Sequence, residues 1–224
     1  MAEKYGTVPK KFTKEWWSWY WMYYKWHTLG LIFVLVLVGL TVFDIMTAEK
    51  YDLTLTYAGK DYYAEDICEK VEKKISPLCD DLDGNGKRSL YFSALHYDPE
   101  TNDPEYIQAQ RLKIDMAISE DETYLFIMDE SVAASYMGEK PKDVAFTPLD
   151  KWLTADIKDA PTYDAYGNAY GIDISNSKFL KDAGINTEGK YLFIRYYPRK
   201  DQIKEQLKGY EAAITLANKI ISEQ

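Results

Sequence analysis

Histidine and cysteine are scarce in this chain, with two of each in 224 residues. There is no HExxH, GxSxG, CxxC or GxGxxG pattern and no phosphate-binding loop, so the common sequence signatures of enzymes are missing. His27 lies at the edge of an apolar run and His96 late in a strand-like segment, positions of an ordinary solvent-facing or hydrogen-bonded imidazole. Acidic pairs such as Glu120-Asp121 and Asp129-Glu130 are unremarkable in a chain of net charge −9. Nothing in the residues argues for catalysis. A basic excess is lacking as well, which argues against nucleic acid as a partner. No internal repeat and no low-complexity tract occurs.

What is present begins with one long apolar run. Trp26 to Met46 reads WHTLGLIFVLVLVGLTVFDIM, and Leu29 to Phe43 has neither a charge nor a proline. As a helix this stretch rises about 30 Å, the hydrocarbon thickness of a bilayer, so it predicts a transmembrane helix over 28–46. Five lysines against two glutamates precede it, whereas residues 48–224 hold 22 Lys+Arg against 33 Asp+Glu. Positive flanks stay inside, so the expected orientation is N-terminus in the cytoplasm and C-terminal part outside. Trp16, Trp17, Trp19, Trp21 and Trp26, interleaved with Tyr20, Tyr23 and Tyr24, are the residues of an aromatic belt. They predict a cytoplasmic juxtamembrane segment over 1–27 that lies along the inner leaflet, with bilayer contact through residues 12–46. The basic start lies far from the apolar run and Met46-Thr47-Ala48 is a poor cleavage site, so the helix is expected to stay attached. Cys68 and Cys79 are too far downstream to carry a lipid.

After a linker over 47–51, residues 52–224 are expected to form one extracytoplasmic α/β domain. The alternating run from Asp52 to Tyr57 predicts a strand, followed by a helix over 62–76 that Pro77 closes. A strand over 89–97 comes next, then a helix that starts at Asp103-Pro104 and turns Ile107, Ile114 and Ile118 inward. The apolar run from Tyr124 to Met128 predicts a central strand, with a short helix over 130–136 behind it. This β-α-β-α-β-α order implies a parallel sheet. Strands over 170–174 and 191–197, a short helix over 178–183 closed by Gly184, and a terminal helix from Asp201 complete it. The terminal helix is expected to turn Ile203, Leu207, Tyr210, Ile214, Ala217 and Ile221 to the core. The expected fold is a single transmembrane helix and a three-layer α/β domain with a mixed, mainly parallel sheet of about five strands.

Asp81-Leu82-Asp83-Gly84-Asn85-Gly86 is the sharpest motif. Oxygen ligands at positions 1, 3 and 5 with glycine at 6 suit a hard cation, so Asp81, Asp83 and Asn85 are candidate Ca²⁺ ligands. Position 12 is Phe92 instead of glutamate, so a bidentate ligand has to come from elsewhere. The same residues also suit an Asp/Asn/Gly turn between helix and strand, and both readings stand. On one continuous helix Cys68 and Cys79 would lie about 16 Å apart along the axis, beyond disulfide reach, so two free thiols are expected, Cys68 in the core. The segment from Tyr163 to Gly171 offers tyrosines beside Asp and Asn, either as a stacking surface for a sugar or peptide or as a hairpin packed over the sheet.

The run YLFIMDESVAASYM, then FTPLDKWL, then YDAYGNAYGIDISNSKFL, resembles the first lobe of extracellular solute-binding proteins of ABC importers, of the type that binds sugars or oligopeptides. The resemblance covers residues 52–197. It implies ligand contacts where the first and third strands end, at Ala58, Gly59, Lys60, Asp129 and Glu130; Tyr166 is a further ligand candidate from the stacking surface of the tyrosine-rich segment. Between Gly171 and the last strand no room is expected for the second lobe that closes such a clamp. The expectation is therefore a non-enzymatic interaction or accessory component at the bacterial cell surface with a protein partner. The alternative is a sugar or peptide binder whose missing lobe a dimer supplies.

Overall fold

The computed structural model describes residues 9–47, 51–98, 100, 103–119, 123–154, 161–196 and 204–223. The chain divides into two compact units, Met1–Lys50 and Tyr51–Gln224.

Among its described residues the first unit holds one helix, α1 (Lys14–Thr47), 34 residues long. The Thr13 hydroxyl accepts the Trp16 N–H and caps its start. The apolar run is exposed throughout from Leu29 to Asp44, so it is not the buried core helix of a globule. It is the one helix among the described residues long and apolar enough to cross a membrane. The aromatic segment is not a separate element, because its residues form the first turns of the same helix. The rings of Trp16, Tyr20 and Tyr24 stack in i,i+4 steps, at 5.3 and 5.4 Å between centroids. The Tyr20 hydroxyl meets the Thr28 hydroxyl at 2.6 Å, and Thr28 also donates to the Tyr24 carbonyl. At 1.5 Å per residue α1 is about 51 Å long, more than a hydrocarbon core requires.

The second unit is built on a six-stranded sheet in the order β2-β1-β3-β6-β5-β4. Its strands are β1 (Leu53–Gly59), β2 (Leu90–His96), β3 (Leu125–Asp129), β4 (Thr162–Ala165), β5 (Asn168–Asp173) and β6 (Lys190–Ile194). β1 runs parallel to both β2 and β3, while β6, β5 and β4 add antiparallel pairings. The parallel character therefore ends at β3. The sixth strand is β4, which the tyrosine-rich segment forms as a hairpin with β5. Tyr166 and Gly167 both have positive φ, 53° and 79°, the backbone of a two-residue hairpin turn whose twist matches the strands.

Period-two alternation sorts the strand side chains into two cores. Leu55, Tyr57, Leu125, Ile127, Leu192 and Ile194 face α2 (Glu65–Ile75), α5 (Lys178–Ala183) and α6 (Lys204–Ser222). Phe126, Met128, Tyr170 and Phe193 face α3 (Pro104–Ser119), α4 (Glu130–Ala134) and the segment that carries Val144 and Phe146. This is a three-layer arrangement. Asp103 caps α3 by accepting the Glu105 and Tyr106 N–H groups, and Ser177 caps α5. α2 starts three residues later than its apolar pattern predicts, with Tyr62 and Tyr63 in the loop before it. Leu207 is exposed instead of inward, whereas Ala217 and Ile221 are buried. The expected start of the last helix at Asp201, with Ile203, lies outside the described residues.

β2 is an edge strand, yet two of its outward N–H groups are already taken. Leu90 N–H donates to the Ser76 hydroxyl at 3.1 Å and Phe92 N–H to the Glu72 carboxylate at 3.0 Å. Both cysteines are free, but Cys79 is the fully buried one and Cys68 is half-buried. Burial, reinforced by the charge of Asp52, pushes the Cys79 thiol up to about 12.

Candidate functional site

The parallel strands place a crevice at their carboxyl ends. The chain leaves β1 through α2 to reach β2 on one side, then returns through α3 to β3 on the other, and α2 and α3 cover opposite faces. Such a switch point is where open α/β sheets place ligands. The β1–β3 register sets Ala58 beside Met128, and the β3–β6 register sets Asp129 opposite Lys190. Gly59, Asp129 and Lys190 therefore converge.

The Lys190 side chain is only 4% exposed. Its ammonium lies 2.6 Å from Asp61 Oδ2 and 3.4 Å from Asp129 Oδ1, and over the Tyr57 ring at 5.6 Å. Asp129 also accepts the Lys60 N–H at 2.7 Å and the Tyr57 hydroxyl at 3.2 Å. The Tyr57 oxygen in turn accepts the Asp61 N–H at 2.9 Å. Asn186 closes the far side, its side-chain amide donating to Asp61 Oδ2 at 2.9 Å and its backbone N–H to the Tyr63 hydroxyl at 3.1 Å. Burial and the negative charge of Asp129 push the Tyr57 phenol far up, and burial with Asp61 does the same to Tyr63. Both phenols stay protonated donors at neutral pH. Gly59 is required by space, because a Cβ there would lie 2.3 Å from the Tyr57 hydroxyl oxygen and 2.4 Å from Asp129 Cγ.

The structure separates the other two ligand candidates, Glu130 and Tyr166. Glu130 opens α4 and is exposed; its charge reinforces the rise that burial causes in the Tyr163 and Tyr191 phenols. Tyr166 sits at the hairpin tip with its hydroxyl donating to the Gly138 carbonyl at 2.5 Å. Elsewhere in that hairpin, whose strands extend the sheet instead of packing over it, Tyr163 packs edge-on against Tyr191 and Phe193. Beside it lies an open cavity of about 300 Å³, floored by Val144, Phe146 and Tyr170 and rimmed by Lys142, Asn168 and Tyr196.

The Asp81 loop folds around its own carboxylates. Asp81 accepts the N–H groups of Gly84 and Gly86 at 2.7 and 2.8 Å, and Asp83 accepts those of the Asn85 backbone and side chain. Gly84 and Gly86 have φ of 76° and 80°, which favours glycine. The sequence motif alone misses Asp52. Oxygens of Asp52, Asp81 and Asp83 all lie within 4.8 Å of one another, so Asp52 supplies a third carboxylate from outside the loop. Asp52 accepts the Leu82 N–H at 2.8 Å, and the Ser89 N–H and hydroxyl at 2.8 and 2.9 Å. Partial burial works to raise its pKa, but these hydrogen bonds outweigh it and hold the carboxyl below its ordinary value. A depressed folded-state pKa contributes stability above the unfolded carboxylate range and loses it on acidification. Melting temperatures measured from pH 7 down to pH 3 should fall more steeply for the wild type than for Asp52→Asn; parallel curves would remove Asp52 from the account.

Lys190 and Asp61 carry no sequence signal of their own. What finds them is the antiparallel pairing of LFIMD with KYLFI, a register fixed only by the folded sheet. No protein-family model, no curated protein and no solved structure matches the chain.

Proposed function

We propose that this is a single-pass membrane protein whose N-terminus lies in the cytoplasm and whose α/β domain stands outside a bacterial cell as a non-enzymatic interaction or accessory component. The observation that carries this reading is the filled switch point: where the resemblance puts a solute, the chain's own Lys190, Tyr57 and Asn186 are packed against Asp61 and Asp129. The domain's working surface is then its exterior, held at the membrane by α1. Protease added to intact cells should remove the domain and spare the N-terminal segment. Crosslinking in the membrane followed by affinity purification should recover a partner protein, and recovery of the chain alone in every growth condition counts against the reading.

The cavity beside the tyrosine-rich hairpin favours a second reading, a sugar or peptide binder completed by a dimer. A thermal-shift screen together with a mass measurement separates the two, since a monomer that no sugar or peptide stabilises removes the second.

Ca²⁺ is proposed as a structural ligand of the Asp81 loop, held by Asp81, Asp83 and Asn85 with Asp52 in place of the missing glutamate. At a tenfold excess over its Kd, Ca²⁺ should raise the melting temperature by about 4 °C. Asp83→Ala should abolish the rise, and unfolding indifferent to chelator would leave only a turn.

A further inference from the structure

The groups around the Lys190 ammonium have the composition of a receptor for a primary amine. Two carboxylates come from different segments, Asp61 from the loop after β1 and Asp129 from the end of β3. The Tyr57 ring lies beneath the cation, the arrangement that favours an ammonium over a neutral group. Each carboxylate is oriented by hydrogen bonds that do not involve Lys190: Lys60 N–H and the Tyr57 hydroxyl on Asp129, the Asn186 amide on Asp61. Gly59 has no side chain that would otherwise fill the space. The receptor is thus held in shape by its own contacts, and β6 feeds the cation into it from the opposite strand.

We propose that the switch-point crevice is a primary-ammonium site permanently occupied by the chain's own Lys190, an internal ligand that closes the crevice to any external solute. This deepens the interaction-domain reading, which rests in part on the crevice being filled. It also fixes the class of ligand the walls select. Removing the side chain beyond Cβ should create a binding site for the atoms removed, and n-propylammonium has those atoms.

The test uses the full chain in detergent micelles. Lys190→Ala should bind n-propylammonium at least tenfold more tightly than the wild type does, with a rise in melting temperature of about 4 °C at tenfold excess over Kd. The uncharged 1-propanol should give no rise, and adding Asp129→Asn to Lys190→Ala should weaken the amine effect. A folded Lys190→Ala that ignores the amine overturns the proposal, as does a wild type that binds it equally well. Should Lys190→Ala fail to fold, the wild type still decides. Under limiting acetylation Lys190 should react at least tenfold more slowly than Lys73, whose side chain is 76% exposed, and equal rates overturn the proposal. Partner capture in cells is read separately, so an amine result of either sign leaves that reading to its own test.

Discussion

Asp129→Ala should lower the melting temperature of the α/β domain by about 10 °C. The carboxylate accepts the Lys60 N–H and the Tyr57 hydroxyl and faces the ammonium of a lysine that is 4% exposed. Its removal strands two donors and takes away one of two counter-charges, while Asp61 remains at 2.6 Å. Breaking a buried pair from one side costs about 3–5 kcal/mol, and the surviving Asp61 sets the expectation at about 3 kcal/mol. A domain of this size loses about 2–4 °C per kcal/mol. Asp129→Asn keeps an acceptor for the Lys60 N–H and should cost less. Thermal unfolding followed by near-ultraviolet circular dichroism measures both, and a fall of less than about 2 °C for the alanine variant would mean that Lys190 does not depend on Asp129.

Gly59→Ala should be at least as damaging, for a steric reason. The new methyl would sit 2.3 Å from the Tyr57 hydroxyl oxygen and 2.4 Å from Asp129 Cγ and Oδ1, inside contact distance of all three. These atoms are tied to Lys60, Asp61 and Lys190 and cannot withdraw singly. Overpacking costs about 1–3 kcal/mol on its own, and displacement of the hydrogen-bonded groups brings the expected loss to about 4 kcal/mol. The pair supplies a coupling test, because Asp129→Ala removes two of the three atoms the methyl strikes. The double variant should therefore be destabilised by less than the sum of the single ones, by about 1 kcal/mol or more. Strict additivity would place the collision elsewhere.

Most strands and helices were legible because their hydrophobic periods are strong. The continuous run in β3 announced a strand covered on both faces, and Phe126 and Met128 do face one core while Leu125 and Ile127 face the other. The capping residues Asp103 and Ser177 act where the helices they start had been placed. The hairpin strand β4 was hidden because Thr162, Tyr163, Asp164 and Ala165 are few and mostly polar, and only the Tyr166-Gly167 turn gives them a partner. Leu207 misled, since it is exposed although it lies on the apolar stripe of α6. At the candidate sites, Gly59 and Asp129 lie at the strand ends from which they were chosen, while Glu130, next in sequence, opens α4 and is exposed. Lys190 and Asp52 eluded sequence reasoning for one reason: each enters its cluster through a register, Lys190 across from Asp129 and Asp52 beside Ser89. Local periodicity carries no record of which residue on another strand lies opposite.

On the membrane-anchored reading proposed above, many copies share one bilayer, and there the hydrogen bonds that β2 donates to Ser76 and Glu72 matter most. Molecules confined to a plane collide far more often than the same number free in solution, and an open strand margin would let neighbours zip together edge to edge. With the Leu90 and Phe92 amides already engaged, the first half of that margin offers an incoming chain fewer donors, which works against edge pairing there.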